Sequence, residues 1–399
     1  MANSFTYLYP YIDKALLEVG MENFPELAQF DKDMEPAGGL TGRIPRTQPQ
    51  TASSFSAAMV RDTGNSGTIS GIPYSITNCY EIDFHVKYNE AAGLGARLRE
   101  TVGGLVQEGC RGLYKAIQSG FYASGLVGHT YMPGCPNVVG TAGTTPFSTS
   151  FNEIALANVA LARHNCPIDN RVGIVDLMAF SNLQSHSGLV MVDHQGTDQT
   201  LRRGTFGSLL GIDFHYSQGV PTWYCSGTPT STGYVVGSGT GSGASGDILW
   251  DVYLTGDAGK FNAGDIFWFS GTTGHGQSHV IVSGVTFTTG GTGQVSFWPP
   301  LSHVVEETVG TGTNFTPYTG TRRQNLIAHR SAYRLVMRDP RAVMGELPTM
   351  GEHVLFIHPN AQVPLLVSFY PGDLMCTFAV KAYWEWVAVR PEWSCIVAG

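Results

Sequence analysis

"SFNEIALANVALARHNCPIDNRVGIVDLMAFSNL", residues 150–183, changes its hydrophobic period twice in one short stretch. It opens on Ser150-x-x-Glu153, a capping-box spacing in which hydroxyl and carboxylate each satisfy a free backbone N–H. That predicts a helix to about Arg163. "RVGIVDL" then reads as a buried strand and "MAFSNLQSH" as a short helix. Further on, "LLGIDFHYSQGVP" reads as another strand, ending at Pro221. The region is an α/β mixture.

Upstream lies the longest helical pattern. Asn89 can cap it, and Leu94, Leu98, Val102, Leu105, Leu113 and Ile117 recur at helical spacing. Gly103 and Gly104 each cost about 1 kcal/mol against alanine and predict a bend or a close contact. Two short helices are expected at the start, one with Ile12, Ala15, Leu16 and Val19 on one face, the other over "ENFPELAQF". Between them and the long helix, from about Asp33 to Cys79, no helical period holds. Strand-like pieces, "SSFSAAMV" and "GIPYSITNCYEIDFHV", flank the turn "RDTGNSGT" and predict a long two-stranded hairpin. An isolated hairpin is marginal in water, so a neighbouring subunit is its expected support.

Downstream, from Thr222 to about Thr321, no helix is expected. "TGYVVG", "DILWDVYL", "DIFWFS", "HVIVSGVTFTT" and "GQVSFWPPL" read as short strands of a small sandwich or barrel inserted into the α/β region. Near the end, "MCTFAVKAYWEWVAV" alternates with period two. Cys376, Phe378, Val380, Ala382, Trp384 and Trp386 share one side, as core or interface rather than a ligand box.

The chain has 399 residues, long enough for two or three domains. Only 14% are charged, against about 25% in an ordinary soluble protein. Either Ser, Thr, Asn and Gly build the exterior, or partner subunits cover it; the second reading is favoured. Net charge is −8 with six lysines, which gives no support to general attraction to DNA. Asp13 and Lys14 interrupt what a signal peptide would need. No apolar run is long enough for a membrane span. The seven cysteines, at 79, 110, 135, 166, 225, 376 and 395, are scattered and odd in number, so buried free thiols are expected rather than zinc ligands or a disulfide framework.

Motifs for chemistry fail on context. Gly241 to Gly246 fits G-x-G-x-x-G, but the following "DILWDVYL" is β-like, so no helix dipole faces a pyrophosphate. His275-x-x-x-His279 lacks a third ligand, and His353 and His358 fall on opposite faces of a strand. "GDAGKF" is an incomplete phosphate loop. No G-x-S-x-G occurs, and no spacing selects a Ser-His-Asp triad. Glu306 and Glu307 point apart on a strand. Asn314-Phe315-Thr316 is a glycosylation sequon without meaning unless the chain is secreted. Arg202-Arg203 and Arg322-Arg323 read as subunit salt-bridge partners. No catalytic, cofactor-binding or metal-binding residue is therefore expected, and no enzyme.

Four strings, in this order, carry a resemblance: residues 150–183; "RRGTFGSLLGIDFHYSQGVP"; "AGDIFWFSGTTGHGQSHVIVSGV"; and "NLIAHRSAYRLVM". They resemble, in turn, the helix–strand–helix, the G-x-x-G-x-x-x-G-F-D ending, the G-D-x-F opening of an inserted domain, and the segment after it, in major capsid proteins of tailed bacteriophages. The nearest likeness is to short-tailed phage coat proteins of the P-22 type, which carry an inserted β-domain. The resemblance implies an α+β, Hong Kong 97-type capsid fold. Residues 1–35 would be the N-terminal arm, 36–88 the extended loop, and 89–121 the peripheral domain with its spine helix. The axial domain would span 122–221 and 326–374, around an inserted all-β domain at 222–325. The strands of 375–399 would return to the peripheral domain. Ser331 stands where the family often has Asp, and the spine is richer in glycine than the pattern.

The implied function is a shell subunit of an icosahedral virion capsid enclosing double-stranded DNA, assembled in the bacterial cytoplasm. Implied partners are the chain itself in pentamers and hexamers, a scaffolding protein, a portal and a decoration protein. DNA would be packaged without sequence-specific binding, and no membrane is involved. The alternatives are a secreted carbohydrate-binding β-protein, with paired cysteines, or a hydrolase with an unrecognised site, with a deep polar pocket.

Overall fold

The computed structural model describes residues 10–12, 14, 24–34, 40–47, 69–94, 97–123, 137–140, 145–148, 150–186, 208–224, 234–236, 250–256, 259–263, 265–270, 279–281, 283–288, 291–298, 314–318, 321–340, 352–357 and 362–399. Much of the first expected helix, all of "SSFSAAMV" and the turn after it, and the glycine string 237–246 lie outside these residues. Two compact units emerge: Met1–Glu18, Lys32–Leu113 and Arg334–Val389 form one, and Val19–Asp31, Tyr114–Tyr333 and Arg390–Gly399 the other.

The first unit is built on a sheet ordered β1 (Asp31–Asp33), β19 (Tyr333–Arg338), β22 (Met375–Ala388), β21 (Pro364–Pro371) and β20 (Glu352–Ile357), with β4 (Asn78–Lys87) also paired to β22. Fourteen-residue β22 runs antiparallel to β4 from Met375↔Lys87 to Trp384↔Asn78. Phe378, Val380, Ala382, Trp384 and Trp386 are all buried, as their alternation predicts. A separate ribbon pairs β2 (Thr41–Thr47) with β3 (Ile69–Ser75). The string "GIPYSITNCYEIDFHV" is thus two strands. β3 belongs to the ribbon and β4 to the sheet, and Ile76 and Thr77 mark the change of partner.

Two helices follow β4: α2 (Tyr88–Leu94) and α3 (Leu98–Ala123). Asn89 does not cap the long helix; it lies within α2, and its Oδ1 accepts from the Glu90 N–H at 2.9 Å. The buried face of α3 is Val102, Val106, Cys110, Leu113, Tyr114, Ile117 and Phe121, with Leu105 on the exposed side. Leucine spacing alone had placed Leu105 inside; valine, cysteine and the aromatics fix the face one position away. Helical geometry continues through Gly103 and Gly104. The tight approach is at Gly112, where a Cβ would sit 2.7 Å from Ile82 Cδ1.

The second unit holds a seven-stranded mixed sheet. Its order is β5 (Asn137–Val139), β23 (Ser394–Ala398), β18 (Thr321–His329), β6 (Arg171–Val175), β8 (Ile212–Tyr216) and β7 (Ser208–Leu209), with β9 (Thr222–Tyr224) also on β18. Every residue of β6 is buried, the signature of a strand covered on both faces. The expected helix α4 (Asn152–Arg163) packs there, with Ile154, Ala157, Ala160 and Leu161 in the core beside Val175, Ile212, Phe214, Ile327 and Val397. Its capping box is not formed. Phe151 is the N-cap, and the Glu153 carboxylate instead accepts from the Phe147 N–H at 3.4 Å, a turn residue at φ 62°. Helix α5 (Leu177–Ser185) is capped by Asp176, whose Oδ2 accepts from Met178 N at 3.2 Å. The expected single strand ending at Pro221 is a hairpin instead. Leu210 and Gly211, at φ 52° and 78°, turn β7 back onto β8, the left-handed pair that a two-residue loop needs.

Between β9 and β18, β10 (Tyr234–Val236), β11 (Trp250–Gly256), β13 (Ile266–Ser270), β14 (His279–Ile281), β16 (Gly291–Trp298) and β17 (Asn314–Pro317) close into a barrel. Beside it, β12 (Gly259–Phe261) pairs with β15 (Val285–Phe287). Phe267, Ile281, Val295 and Phe297 are fully buried. The chain enters and leaves on paired strands, Thr222↔Arg323 to Tyr224↔Thr321.

Candidate assembly surface

The ribbon is two-faced. Period-two alternation puts Ile44, Ile72 and Tyr74 on one side, where they pack with Ile76 against Val336, Val387, Val389 and Tyr383 of the first unit's own sheet. The other side, Thr41, Arg43, Pro45, Gly71, Pro73 and Ser75, is exposed. The base of the ribbon is therefore seated on its own chain, which corrects, for these residues, the expectation that a neighbouring subunit is its support; residues 48–68 lie outside the described residues. Gly42 is required for the seating: a Cβ there would fall 2.3 Å from Tyr74 Oη. Burial raises the Tyr74 phenol pKa, Asp33 adds to the rise, and Arg338 opposes it. Over this floor, Thr41, Gly42, Arg43, Pro73, Tyr74 and Ser75 line an open depression of about 530 Å³. Pro45 and Pro73 face Gly71 and Arg43 across the ladder. Proline cannot donate to an added strand, so this ribbon presents a face, not an edge, to whatever meets it.

A second unfinished surface lies at the turn from β21 to β22. Leu374 is 80% exposed, the most of any large apolar side chain described, and Met375 is 43% exposed. Helix α2 sits beside them and contributes no buried residue. Tyr88 ties the two together. Its N–H donates to Leu374 O at 3.2 Å and its hydroxyl to Gly372 O at 2.9 Å.

The second unit shows the opposite condition. Glu26, on helix α1 (Pro25–Gln29), is fully buried, and no cation among the described residues pairs with it. Its Oε1 accepts from Tyr122 Oη at 2.6 Å and Ser217 Oγ at 2.5 Å, and its Oε2 from Gln118 Nε2 at 2.8 Å. Burial raises its pKa, and the hydroxyl and amide donors pull it back down. Sequence reading passed over Glu26 because nothing in "NFPELAQF" separates a buried carboxylate from a solvated one.

The residues weighed for chemistry are dispersed. His279 is buried in the barrel, stacked at 5.5 Å on Phe267 and 5.0 Å from Phe297. His353 Nδ1 bonds Ser368 Oγ at 2.9 Å. Burial lowers its pKa, as does nearby Lys381. Arg323, expected at a subunit contact, is held within its own unit by Val220 O at 3.3 Å and Asp176 Oδ1 at 3.8 Å. The segment from 237 to 249 joins β10 to β11, which pair antiparallel, so its glycines lead into a strand and not a helix. His275, His358, Glu306, Glu307, Arg202 and Arg203 lie outside the described residues. Among those described, no three His, Cys, Asp or Glu gather as metal ligands, and no helix is long and apolar enough to cross a membrane. Cys110, Cys166 and Cys395 are buried free thiols as expected, whereas Cys79 is exposed and Cys376 half-exposed.

No family model matches the chain, and no curated protein matches it. Among solved structures, a cyanophage A-1(L) capsid chain is 12% identical, with 100% of this chain and 94% of that one covered and a TM-score of 0.49. A bacteriophage PhiM1 mature capsid chain is 10% identical over 93% and 85%, with a TM-score of 0.47. A Mycobacterium phage Che8 chain is 14% identical over 90% and 85%, with a TM-score of 0.46. Likenesses this distant do not carry a function to this chain.

Proposed function

We propose that this chain is a non-enzymatic coat subunit of a tailed bacteriophage with the Hong Kong 97-type fold, which assembles into an icosahedral shell around double-stranded DNA. The observation that carries the reading is the order of pieces along the chain. A two-stranded ribbon, a long helix, a mixed sheet interrupted by a barrel, and a long strand pairing back to residues 78–87 stand in the order that the resemblance implies. In this reading residues 1–35 are the N-terminal arm, 36–88 the extended loop and 222–325 the inserted domain. The expected split of the rest at 374/375 is revised: β19 to β22 share one sheet and β23 joins the other, so the helix from residue 89 with 334–389 makes the peripheral domain, and 122–221, 326–333 and 390–399 the axial domain. The ribbon laps onto a neighbouring copy through its uncovered face. Each contact is modest, and a closed symmetric lattice repeats it many times. Scaffolding, portal and decoration proteins are the partners of the same reading. The described cysteines are free, which weighs against a secreted, disulfide-paired β-protein.

Negative-stain microscopy and sedimentation of the purified chain, alone and with a scaffold, test the proposal. Shells, tubes or ring-shaped capsomers are the expected result. A chain that remains monomeric under all these conditions would overturn it.

A further inference from the structure

We propose that the β21–β22 turn of one copy docks, through Leu374 and Asp373, on the Arg43 face of the β2–β3 ribbon of a second copy. This rests on the coat-subunit reading and names the two surfaces that meet.

Three observations lead to it. First, the turn is unfinished in one chain. Leu374 and Met375 are exposed, and the adjoining seven-residue helix α2 buries nothing. So short a helix is not stable in water by itself, and its apolar neighbours lack a cover among the described residues.

Second, the surfaces are complementary. The outward face of the ribbon, Thr41, Arg43, Pro45, Gly71, Pro73 and Ser75, carries Arg43 and no acid, Arg46 falling on the inner side with Ile44. The turn and α2 carry Asp373 and Glu90 against Lys87, with Asp83 further along β4. Arg43 and Asp373 make no ion pair among the described residues. The open depression of about 530 Å³ beside Arg43, floored by Tyr74 and Gly42, is wide enough for a leucine side chain.

Third, one chain cannot bring them together. The ribbon seats on Val387 and Val389, at one end of β22, while Met375 begins the other. Twelve residues of strand separate them by about 40 Å. Two complementary patches at opposite ends of one rigid element meet only between copies, head to tail. Such a contact closes into rings when the rotation allows. Pro45 and Pro73 exclude strand addition, which leaves the knob-and-depression contact.

The test uses the full-length chain in four forms: Leu374→Asp, Asp373→Arg, Arg43→Asp, and the last two combined. The assembled fraction is read by sedimentation and microscopy, and the fold of each unassembled form by circular dichroism. Wild type assembles. Leu374→Asp, at an exposed site, keeps the fold and lowers the assembled fraction by about tenfold or more. Each charge reversal alone lowers it, and the combined reversal restores most of it. If wild type assembles and Leu374→Asp assembles equally well, the turn is not an interface. If the combined reversal is no better than the worse single one, the pairing with Arg43 is wrong. A wild-type chain that never assembles removes the coat-subunit reading itself, a distinguishable outcome.

Discussion

Arg171 begins β6 and is 4% exposed. Its guanidinium donates to Pro167 O at 2.8 Å, Cys166 O at 2.9 Å and Asn158 Oδ1 at 2.7 Å. Arg43, in β2, is exposed and lies beside an open depression. In a chain so poor in charge, one arginine closes a loop against the mixed sheet and the other faces outward from a ribbon. In the first region, the guanidinium finds three acceptors within its own unit. The second region has a packed inner face and an exposed outer one.

The comparison is most exposed to failure at Arg171. Arg171→Ala leaves two carbonyls and an amide without their donor, and each unmade bond to a charged group costs about 1.5–3 kcal/mol. We expect a loss of at least about 3 kcal/mol in urea unfolding of the dissociated chain, while Arg43→Ala stays within about 0.5 kcal/mol. Equal effects would abolish the distinction.

Glu26 comes next. Glu26→Ala strands the donors of Gln118, Tyr122 and Ser217, for an expected loss of about 2–3 kcal/mol. Glu26→Gln keeps most partners and costs less. The same pair reads pH. The folded carboxyl has a pKa above its ordinary 4.5, so the folded state holds this proton more tightly than the unfolded one. The stability Glu26 contributes is full below pH 4.5 and declines as pH rises through the raised folded value. Glu26→Gln removes that part of the decline; an unchanged pH profile would refute the assignment.

Two glycines sharpen the contrast at smaller scale. A Cβ on Gly173 of β6 would sit 2.5 Å from Phe214 Cδ1, in a strand buried on both faces. Gly173→Ala is expected to cost about 1–3 kcal/mol by overpacking. Gly104 of α3 has nothing within 4 Å of a Cβ. Gly104→Ala should stabilise the chain by about 0.5–1 kcal/mol, the helix-propensity difference, seen as a raised thermal midpoint.

Much of the mixed region was legible in residues 150–183. Burial on both faces forces "RVGIV" into an apolar run, and helix α4 repeats its small apolar residues every three to four positions. The ribbon was half legible. "GIPYSI" reads as strand, and its partner among the described residues is "TGRIPRT", which was not expected as a strand; "SSFSAAMV" lies outside them. Glycine, proline and a lone isoleucine hide the period of β2, and only the register Ile44↔Ile72 reveals it. The candidate surfaces were not legible. Leu374 in "GDLMC" has the composition of any turn, and its exposure follows from where β21 and β22 end.

Sequence alone determined the element types, their order and the face of β22 that turns inward, because these depend on residue spacing within one segment. It also removed the nucleotide loop, since the residues after Gly246 favour a strand. Tertiary structure alone decided which strands pair and that Glu153 abandons its cap for Phe147 N. It also decided that the carboxylate of Glu26 is buried, and that Arg323, though half-exposed, bonds Val220 O and pairs with Asp176 of its own unit. Those outcomes depend on distances between residues far apart in the chain, where desolvation and hydrogen-bond partners, not local propensity, set the free energy.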